Sequence, residues 1–95
     1  MQELLEKIEN KRAKIGVIGL GYVGLPLAAE FAKSGFTVTG FDIDKEKVSK
    51  LNKGISYIPD VQTEDVKWLC EKNLLSATYD FSNLKDQDVI FICVP

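Results

Sequence analysis

The feature that most constrains this chain is a cluster of glycines placed directly after an apolar segment. The hexapeptide "GLGYVG" carries Gly19, Gly21 and Gly24 in the spacing G-x-G-x-x-G. The preceding segment, Lys14–Ile18, is typical of a buried strand, and the residues beyond the glycines repeat apolar side chains at helical spacing. A strand, a glycine-rich turn and a helix in this order predict a loop whose backbone approaches a phosphate group.

Each glycine in the loop has its own physical reason. Gly19 permits a tight turn off the strand, Gly21 lets the backbone approach a pyrophosphate, and Gly24 lets the helix pack closely on the strand. The free backbone N–H groups of Tyr22 and Val23 stand at the positive end of the helix dipole. We therefore expect them to bind the phosphates of a dinucleotide.

A second test of this interpretation is an acidic residue at the end of the next strand, about 20 residues further on. Asp42 in "TGFDID" occupies that position, after the predicted strand Thr37–Phe41. Its carboxylate would accept hydrogen bonds from the adenosine ribose and repel a 2′-phosphate. Ile43 follows it and no arginine stands there, so the sequence favours NAD over NADP. Asp42 could instead cap a helix, but Asp44 can fill that role.

The order of the predicted elements indicates an α/β protein. Strands alternate with helices in the order strand–helix–strand–helix–helix–strand–turn–strand, which predicts a Rossmann-type doubly wound parallel sheet. The strands are predicted at Lys14–Ile18, Thr37–Phe41, 76–80 and 88–94, and the helices at 22–34, 44–53 and 63–73. The last run, "DVIFICV", is typical of a central strand buried on both faces.

We expect two regions in the chain. Residues 1–13 read as an amino-terminal helix, and residues 14–95 read as a partial NAD-binding Rossmann domain. A sheet that ended after strand 88–94 would lack its next strand and covering helix. The sheet is therefore expected to be truncated after about four strands, the chain to be the front part of a longer protein, and the open edge to promote self-association.

Composition excludes several classes of function. A formal net charge of -2 argues against a surface for nucleic acid or anionic lipid. No apolar run approaches the roughly 18 residues of a membrane span, and the charged start is not a signal peptide, so we expect a cytoplasmic protein. The chain has no histidine, which removes the commonest general base and metal ligand, and no metal site is predicted. Cys70 and Cys93 read as small buried hydrophobic residues.

Longer stretches of the sequence resemble a known family. The segment "IGVIGLGYVGLPLAAEFAKSGFTVTGFDIDKEKV" together with "DVIFICVP" is similar to the amino-terminal domain of the nucleotide-sugar 6-dehydrogenases, which include UDP-glucose and GDP-mannose dehydrogenases. The continuation "GYVGLPLA" is the specific part. The loop "LNKGISYIPDV" resembles the branch that acts on UDP-N-acetylhexosamines, and the likeness extends from about Lys14 to Pro95.

This resemblance implies an enzyme that oxidises C6 of a UDP-sugar to a carboxylate with two molecules of NAD, in the synthesis of polysaccharide precursors. Tyr22, Val23 and Asp42 keep the roles given above. Lys47 would reach the adenosine ribose or its neighbourhood, and Val94 and Pro95 would line the nicotinamide side of the cleft. An equal alternative for Lys47 is a solvated lysine within "DKEKVSK".

The resemblance also implies what this chain lacks. The nucleophilic cysteine, the catalytic lysine and the UDP-binding domain of the family lie downstream of the position matching Pro95. Neither Cys70 nor Cys93 matches that nucleophile, so no catalytic residue is assigned and the chain alone is not expected to be active. The UDP-sugar would be a partner of the intact protein, which is expected to be a homo-oligomer.

Two other functions compete with the enzyme fragment. A non-catalytic dinucleotide-sensing module would use the same loop, and the reading frame beyond Pro95 would separate the two. A flavin-binding enzyme has a similar first strand and helix, but "GYVGLPLA" argues against it. Within the loop "LNKGISYIPDV", Tyr57 and Pro59 either pack or touch substrate, with packing favoured. Trp68, on the predicted helix 63–73, either caps the core or contacts a neighbouring part of the protein.

Overall fold

A computed structural model describes residues 10–93 of the chain. Most of the predicted amino-terminal helix lies outside this range, as do Val94 and Pro95, which were predicted to line the nicotinamide side. Asn10 and Lys11, at the end of the predicted helix, form a turn instead. Lys14 then opens the first strand.

The described residues form a parallel sheet with helices between its strands, which confirms the Rossmann-type α/β fold. The strands are β1 (Lys14–Ile18), β2 (Thr37–Phe41), β3 (Leu75–Thr78) and β4 (Val89–Ile92). The helices are α1 (Gly24–Lys33), α2 (Lys45–Asn52) and α3 (Thr63–Glu71), and a 3-10 helix spans Phe81–Asp86. The four strands lie in the order β3-β2-β1-β4, and every neighbouring pair is parallel.

The helix ends follow the chemistry of their flanking residues. The Asp44 carboxylate accepts hydrogen bonds from the N–H groups of Glu46 (3.0 Å) and Lys47 (3.3 Å), so Asp44 caps α2. Gly54, with φ 77°, follows the end of that helix as predicted. Helix α3 ends at Glu71, two residues before the predicted end, and Asn73 takes a left-handed conformation with φ 59°.

The core lies between the helices and one face of the sheet. On that face β1 and β2 contribute Ile15, Val17 and Val38, all buried. Helix α1 covers them with an apolar stripe spaced as a helix requires, consisting of Leu25, Ala28, Ala29 and Ala32. Helix α3 packs beside α1, and an ion pair of 3.1 Å joins Lys33 to Asp65 across the two helices.

Strand β4 differs from the prediction for residues 88–94, because it is not buried on both faces. It pairs with β1 alone and forms an edge of the described sheet. Phe91 points to the covered face and stacks on Phe31 with ring centroids 5.0 Å apart. On the other face Ile90 is 43% exposed and Ile92 69% exposed. A continuous apolar run therefore marks a strand here without implying that the described residues cover both of its faces.

The cysteine prediction was also too simple. Cys70 and Cys93 are both free and only partly buried. The Cys70 thiol donates a hydrogen bond to the carbonyl oxygen of Leu51 at 3.2 Å, and burial raises its pKa.

Among residues 10–93, no helix is long and apolar enough to cross a membrane.

Candidate functional site

The carboxyl ends of β1 and β2 open into a cavity of about 480 Å³. Ligand sites of α/β proteins lie at this edge of the sheet. The lining residues are Gly19, Leu20, Gly21, Tyr22, Val23, Asp42, Ile43, Lys47 and Cys93. The structure thus brings together every predicted site residue that it describes except Gly24, which lies behind the loop.

Gly19 and Gly24 are required by the packing of the chain itself. Gly19 has φ 91°, a conformation that side chains disfavour, and its N–H donates a hydrogen bond to the Phe41 carbonyl at 2.8 Å. A Cβ atom on Gly19 would collide with the carbonyl oxygen of Cys93. A Cβ atom on Gly24 would collide with the carbonyl oxygen of Gly19. Gly19 therefore lets the turn pass close to Cys93, and Gly24 lets the first turn of α1 approach the end of β1.

Gly21 differs from the other two glycines of the loop. No heavy atom lies within 4 Å of the position that its Cβ would take, apart from its own neighbours in the chain. The packing of the described residues does not explain a glycine there. The space above Gly21 belongs to the cavity, so a glycine keeps that space free for a ligand.

Unpaired backbone donors lie beside this space. The N–H groups of Tyr22 and Val23 have no hydrogen-bond acceptor among the described residues. Their side chains are 77% and 68% exposed, and α1 begins at the next residue. The positive end of the α1 dipole and these donors together favour an anionic group in the cavity.

Asp42 is held in place by two backbone groups. Its Oδ2 accepts a hydrogen bond from the Leu20 N–H at 2.8 Å, and its Oδ1 accepts one from the Asp44 N–H at 2.9 Å. A carboxylate has about four acceptor positions, so acceptor capacity remains on both oxygens. Because Asp44 caps α2, Asp42 is not needed as its N-cap. Asp42 presents a fixed negative charge to the cavity.

Lys47 and Ile43 complete this side of the cavity. Lys47 is partly buried and lines the cavity. Ile43 is 84% exposed, an unusual degree for an isoleucine. The wall therefore combines one acid, one base and an apolar surface.

Three contributors to the site were missed at the sequence level. Cys93 lines the opposite side of the cavity, and its N–H donates to the Ile18 carbonyl at 2.8 Å. The Tyr57 hydroxyl donates a hydrogen bond to the Leu20 carbonyl at 2.7 Å, which joins a distant loop to the glycine-rich turn. Leu20 itself lies between Gly19 and Gly21 and is fully buried. From the sequence, Tyr57 was predicted to be a loop residue that packs or touches substrate, and Cys93 was predicted to be a buried hydrophobic residue. Leu20 had no signal beyond its place inside the glycine motif.

The residues that line the cavity can bind a charged ligand. In the described part of the chain, no group of three or more His, Cys, Asp or Glu side chains could hold a metal ion. Backbone donors, one fixed carboxylate and one lysine can position a phosphate-bearing ligand with hydroxyl groups.

A parallel strand, a glycine-rich turn, a helix and an acid at the end of the next strand define a Rossmann dinucleotide-binding domain. The family model described as "UDP-glucose/GDP-mannose dehydrogenase family, NAD binding domain" matches residues 13–95. The chain belongs to this family, and the domain that it matches is the one that binds NAD.

Known relatives and structures agree with this assignment. The chain is 41% identical over 85 residues to a UDP-N-acetyl-D-glucosamine 6-dehydrogenase of Pseudomonas aeruginosa. The matched region covers 90% of this chain and 19% of the relative. It is 40% identical over 83 residues to a UDP-N-acetyl-D-mannosamine dehydrogenase of Pyrococcus horikoshii, with 85% and 20% covered. A ternary complex of GDP-mannose dehydrogenase from Pseudomonas aeruginosa superposes with a TM-score of 0.79 at 36% identity, over 85% of this chain and 19% of that one. The chain thus spans about one fifth of the length of these relatives.

Proposed function

We propose that this chain holds NAD in the cavity between β1 and β2, as the NAD-binding portion of a nucleotide-sugar 6-dehydrogenase. The observation that carries the proposal is the pair of unpaired N–H groups on Tyr22 and Val23, which stand beside the fixed carboxylate of Asp42. This is the arrangement that a dinucleotide requires, with donors for its pyrophosphate and an acceptor for its ribose.

Each residue of the site has a proposed task. Gly19 and Gly24 shape the turn, Gly21 keeps the space above it free for the pyrophosphate, and the N–H groups of Tyr22 and Val23 bind the pyrophosphate. Asp42 accepts hydrogen bonds from the ribose hydroxyls, Lys47 contacts the same ribose or its surroundings, and Val94 and Pro95 line the nicotinamide side. When bound, NAD supplies the acceptor for a hydride from the substrate.

The proposed reaction of the parent protein is the oxidation of C6 of a UDP-sugar to the uronate, for polysaccharide precursors. A UDP-N-acetylhexosamine is the proposed substrate, because the relatives from Pseudomonas aeruginosa and Pyrococcus horikoshii are named for such sugars. The nucleophile and the UDP-binding domain are proposed to lie beyond residue 95. The same proposal includes an amino-terminal region at 1–13, proposed to be helical before the turn at Asn10 and Lys11, and a partial Rossmann domain at 14–95. The homo-oligomer and the cytoplasmic location also belong to it.

A dinucleotide-sensing module without catalysis is the second candidate. It would use the same glycine-rich turn and the same cavity. The continuation of the reading frame separates the two candidates. A downstream cysteine and lysine of the kind that the family uses would support the enzyme, and a stop codon after Pro95 would support the module.

Calorimetric titration with NAD and NADP tests the binding proposal. We expect NAD to bind weakly but measurably, NADP to bind more weakly, and Asp42→Ala to reduce the affinity for NAD. Glu71→Ala is the matched control, because it removes an exposed carboxylate that does not line this cavity. Equal affinity for NAD and NADP would refute the role of Asp42, and absence of NAD binding would refute the proposal for this chain.

A further inference from the structure

Tyr57 reaches the glycine-rich turn from a loop 37 residues further along the chain. This loop joins α2 to α3, and its residues are well anchored. Ile58 and Val61 are buried at 6% and 7% exposure. The Ser56 N–H donates to the Thr63 hydroxyl at 3.1 Å, and the Ser56 hydroxyl donates to the Ile58 carbonyl at 3.0 Å. Tyr57 therefore projects from a loop that is itself fixed to the core.

The target of Tyr57 is Leu20, a residue of the glycine-rich turn. The Leu20 carbonyl accepts the hydrogen bond of the Tyr57 hydroxyl at 2.7 Å, and the Leu20 N–H donates to Asp42 Oδ2 at 2.8 Å. The Leu20 side chain is completely buried against Gly40, where a Cβ atom would lie 2.6 Å from Leu20 Cδ2. Both backbone polar groups and the side chain of Leu20 are thus occupied.

The consequence of this arrangement falls on Gly21, Tyr22 and Val23. The Leu20 carbonyl belongs to the peptide group whose N–H is that of Gly21. Fixing this peptide sets the direction of the Gly21 N–H and restricts the orientation of the backbone that carries the N–H groups of Tyr22 and Val23. A glycine-rich turn without such contacts would sample several conformations, and a ligand would have to select one of them.

We infer that Tyr57 is a positioning residue for the dinucleotide site, which holds the glycine-rich turn in its binding conformation through the Leu20 carbonyl. The inference rests on the proposed NAD binding and adds to it a residue outside the glycine motif and outside the cavity lining. Tyr57 acts as a hydrogen-bond donor, so only its protonated form can serve. Burial, followed by the nearby charges of Asp42 and Asp44, raises the pKa of this phenol and keeps it protonated well above neutral pH.

The test compares the 95-residue chain with its Tyr57→Phe and Tyr79→Phe variants, using NMR. Tyr79→Phe is the matched control, because it removes the same hydroxyl group from a tyrosine that is 54% exposed. Without NAD, we expect Tyr57→Phe to speed amide hydrogen exchange at Leu20 and Gly19. The reference is the Ala77 N–H, which donates a hydrogen bond to Asn52 Oδ1 at 2.8 Å and should keep its exchange rate. A general loss of stability would change all three amides together.

The second arm is a titration of the same three chains with NAD. We expect Tyr57→Phe to bind NAD about two- to tenfold more weakly, which corresponds to one lost hydrogen bond, and Tyr79→Phe to bind like the wild type. Equal binding by Tyr57→Phe and the wild type would overturn the inference and leave the proposed function intact. Absence of binding by the wild type would overturn the proposed function, and the inference with it.

A further measurement does not depend on the folding of a variant. In the unaltered chain, the hydroxyl proton of Tyr57 should exchange slowly enough to be observed, with a through-space contact to Leu20. A hydroxyl proton of Tyr57 that exchanges as fast as that of Tyr79 would contradict the hydrogen bond and the inference.

Discussion

The two sides of the cavity are built very differently. The loop side, formed by residues 19–23 and Asp42, is fixed by backbone hydrogen bonds, by a buried leucine and by the Tyr57 hydroxyl. The β4 side, formed by Cys93 at the end of β4, belongs to an edge strand with two exposed isoleucines. The difference indicates that the described residues fix the loop side of the cavity more firmly than the β4 side.

The largest effect should come from breaking the loop side at Gly24. Gly24→Ala places a methyl group against the Gly19 carbonyl, so we expect a loss of about 3 kcal/mol or more in the free energy of unfolding. Gly21→Ala is the matched variant, because space is open there, and its stability should change by less than about 0.5 kcal/mol. Chemical denaturation measures both.

The same pair of variants separates packing from binding. Gly21→Ala should remain folded and bind NAD more weakly, since its methyl group occupies ligand space. If Gly21→Ala destabilised the chain as strongly as Gly24→Ala, the distinction between the two glycines would be wrong.

The next effect tests the β4 side. Phe91→Ala removes a partly buried ring stacked on Phe31, and we expect a loss of about 2 kcal/mol in the free energy of unfolding. Ile92→Ser changes an exposed side chain on the opposite face of the same strand, and should change stability by less than about 0.5 kcal/mol. Light scattering should show less self-association for Ile92→Ser, whereas equal losses of stability would mean that both faces of β4 are covered.

A smaller effect is expected from Asp42→Asn. The substitution weakens the two hydrogen bonds that the carboxylate accepts from Leu20 and Asp44, at a cost of about 1–2 kcal/mol. Asp44→Asn, which keeps a side chain able to cap α2, should leave stability nearly unchanged. Thermal unfolding followed by circular dichroism compares them, and equal midpoints would indicate that Asp42 does not fix the loop.

The smallest effect concerns alkaline pH. The pKa of the Cys70 thiol and that of the Tyr57 phenol are both raised above their ordinary values of 9.0 and 10.0. Because the folded state favours the protonated forms, stability should be constant below these values and should decrease as the pH rises through 9 and then 10. Tyr57→Phe should remove the part of this decrease above pH 10, and an unchanged profile would contradict the environment assigned to Tyr57.

The sequence predicted most of the fold, and it predicted the glycine-rich turn and the acid on the loop side of the cavity. The positions of β1, β2 and the helices follow from local periodicity, and the G-x-G-x-x-G spacing and Asp42 indicated the loop side. The contact between Tyr57 and Leu20 could not be predicted in this way, because it joins two loops that no local pattern relates. The exposure of one face of β4 was also not predicted, because the apolar sequence of a strand does not show whether other residues cover both of its faces.

The most direct test of the account is to map the NAD site on the ¹⁵N-labelled chain by NMR titration. We predict that NAD shifts the amide signals of Gly21, Tyr22, Val23 and the residues around Asp42 in a saturable manner. The signals of α3, which lies away from the cavity, should remain in place, and NADP should require a higher concentration for the same shifts. Shifts centred outside the glycine-rich turn, or identical titration curves for NAD and NADP, would contradict the assignment of the cavity as an NAD site.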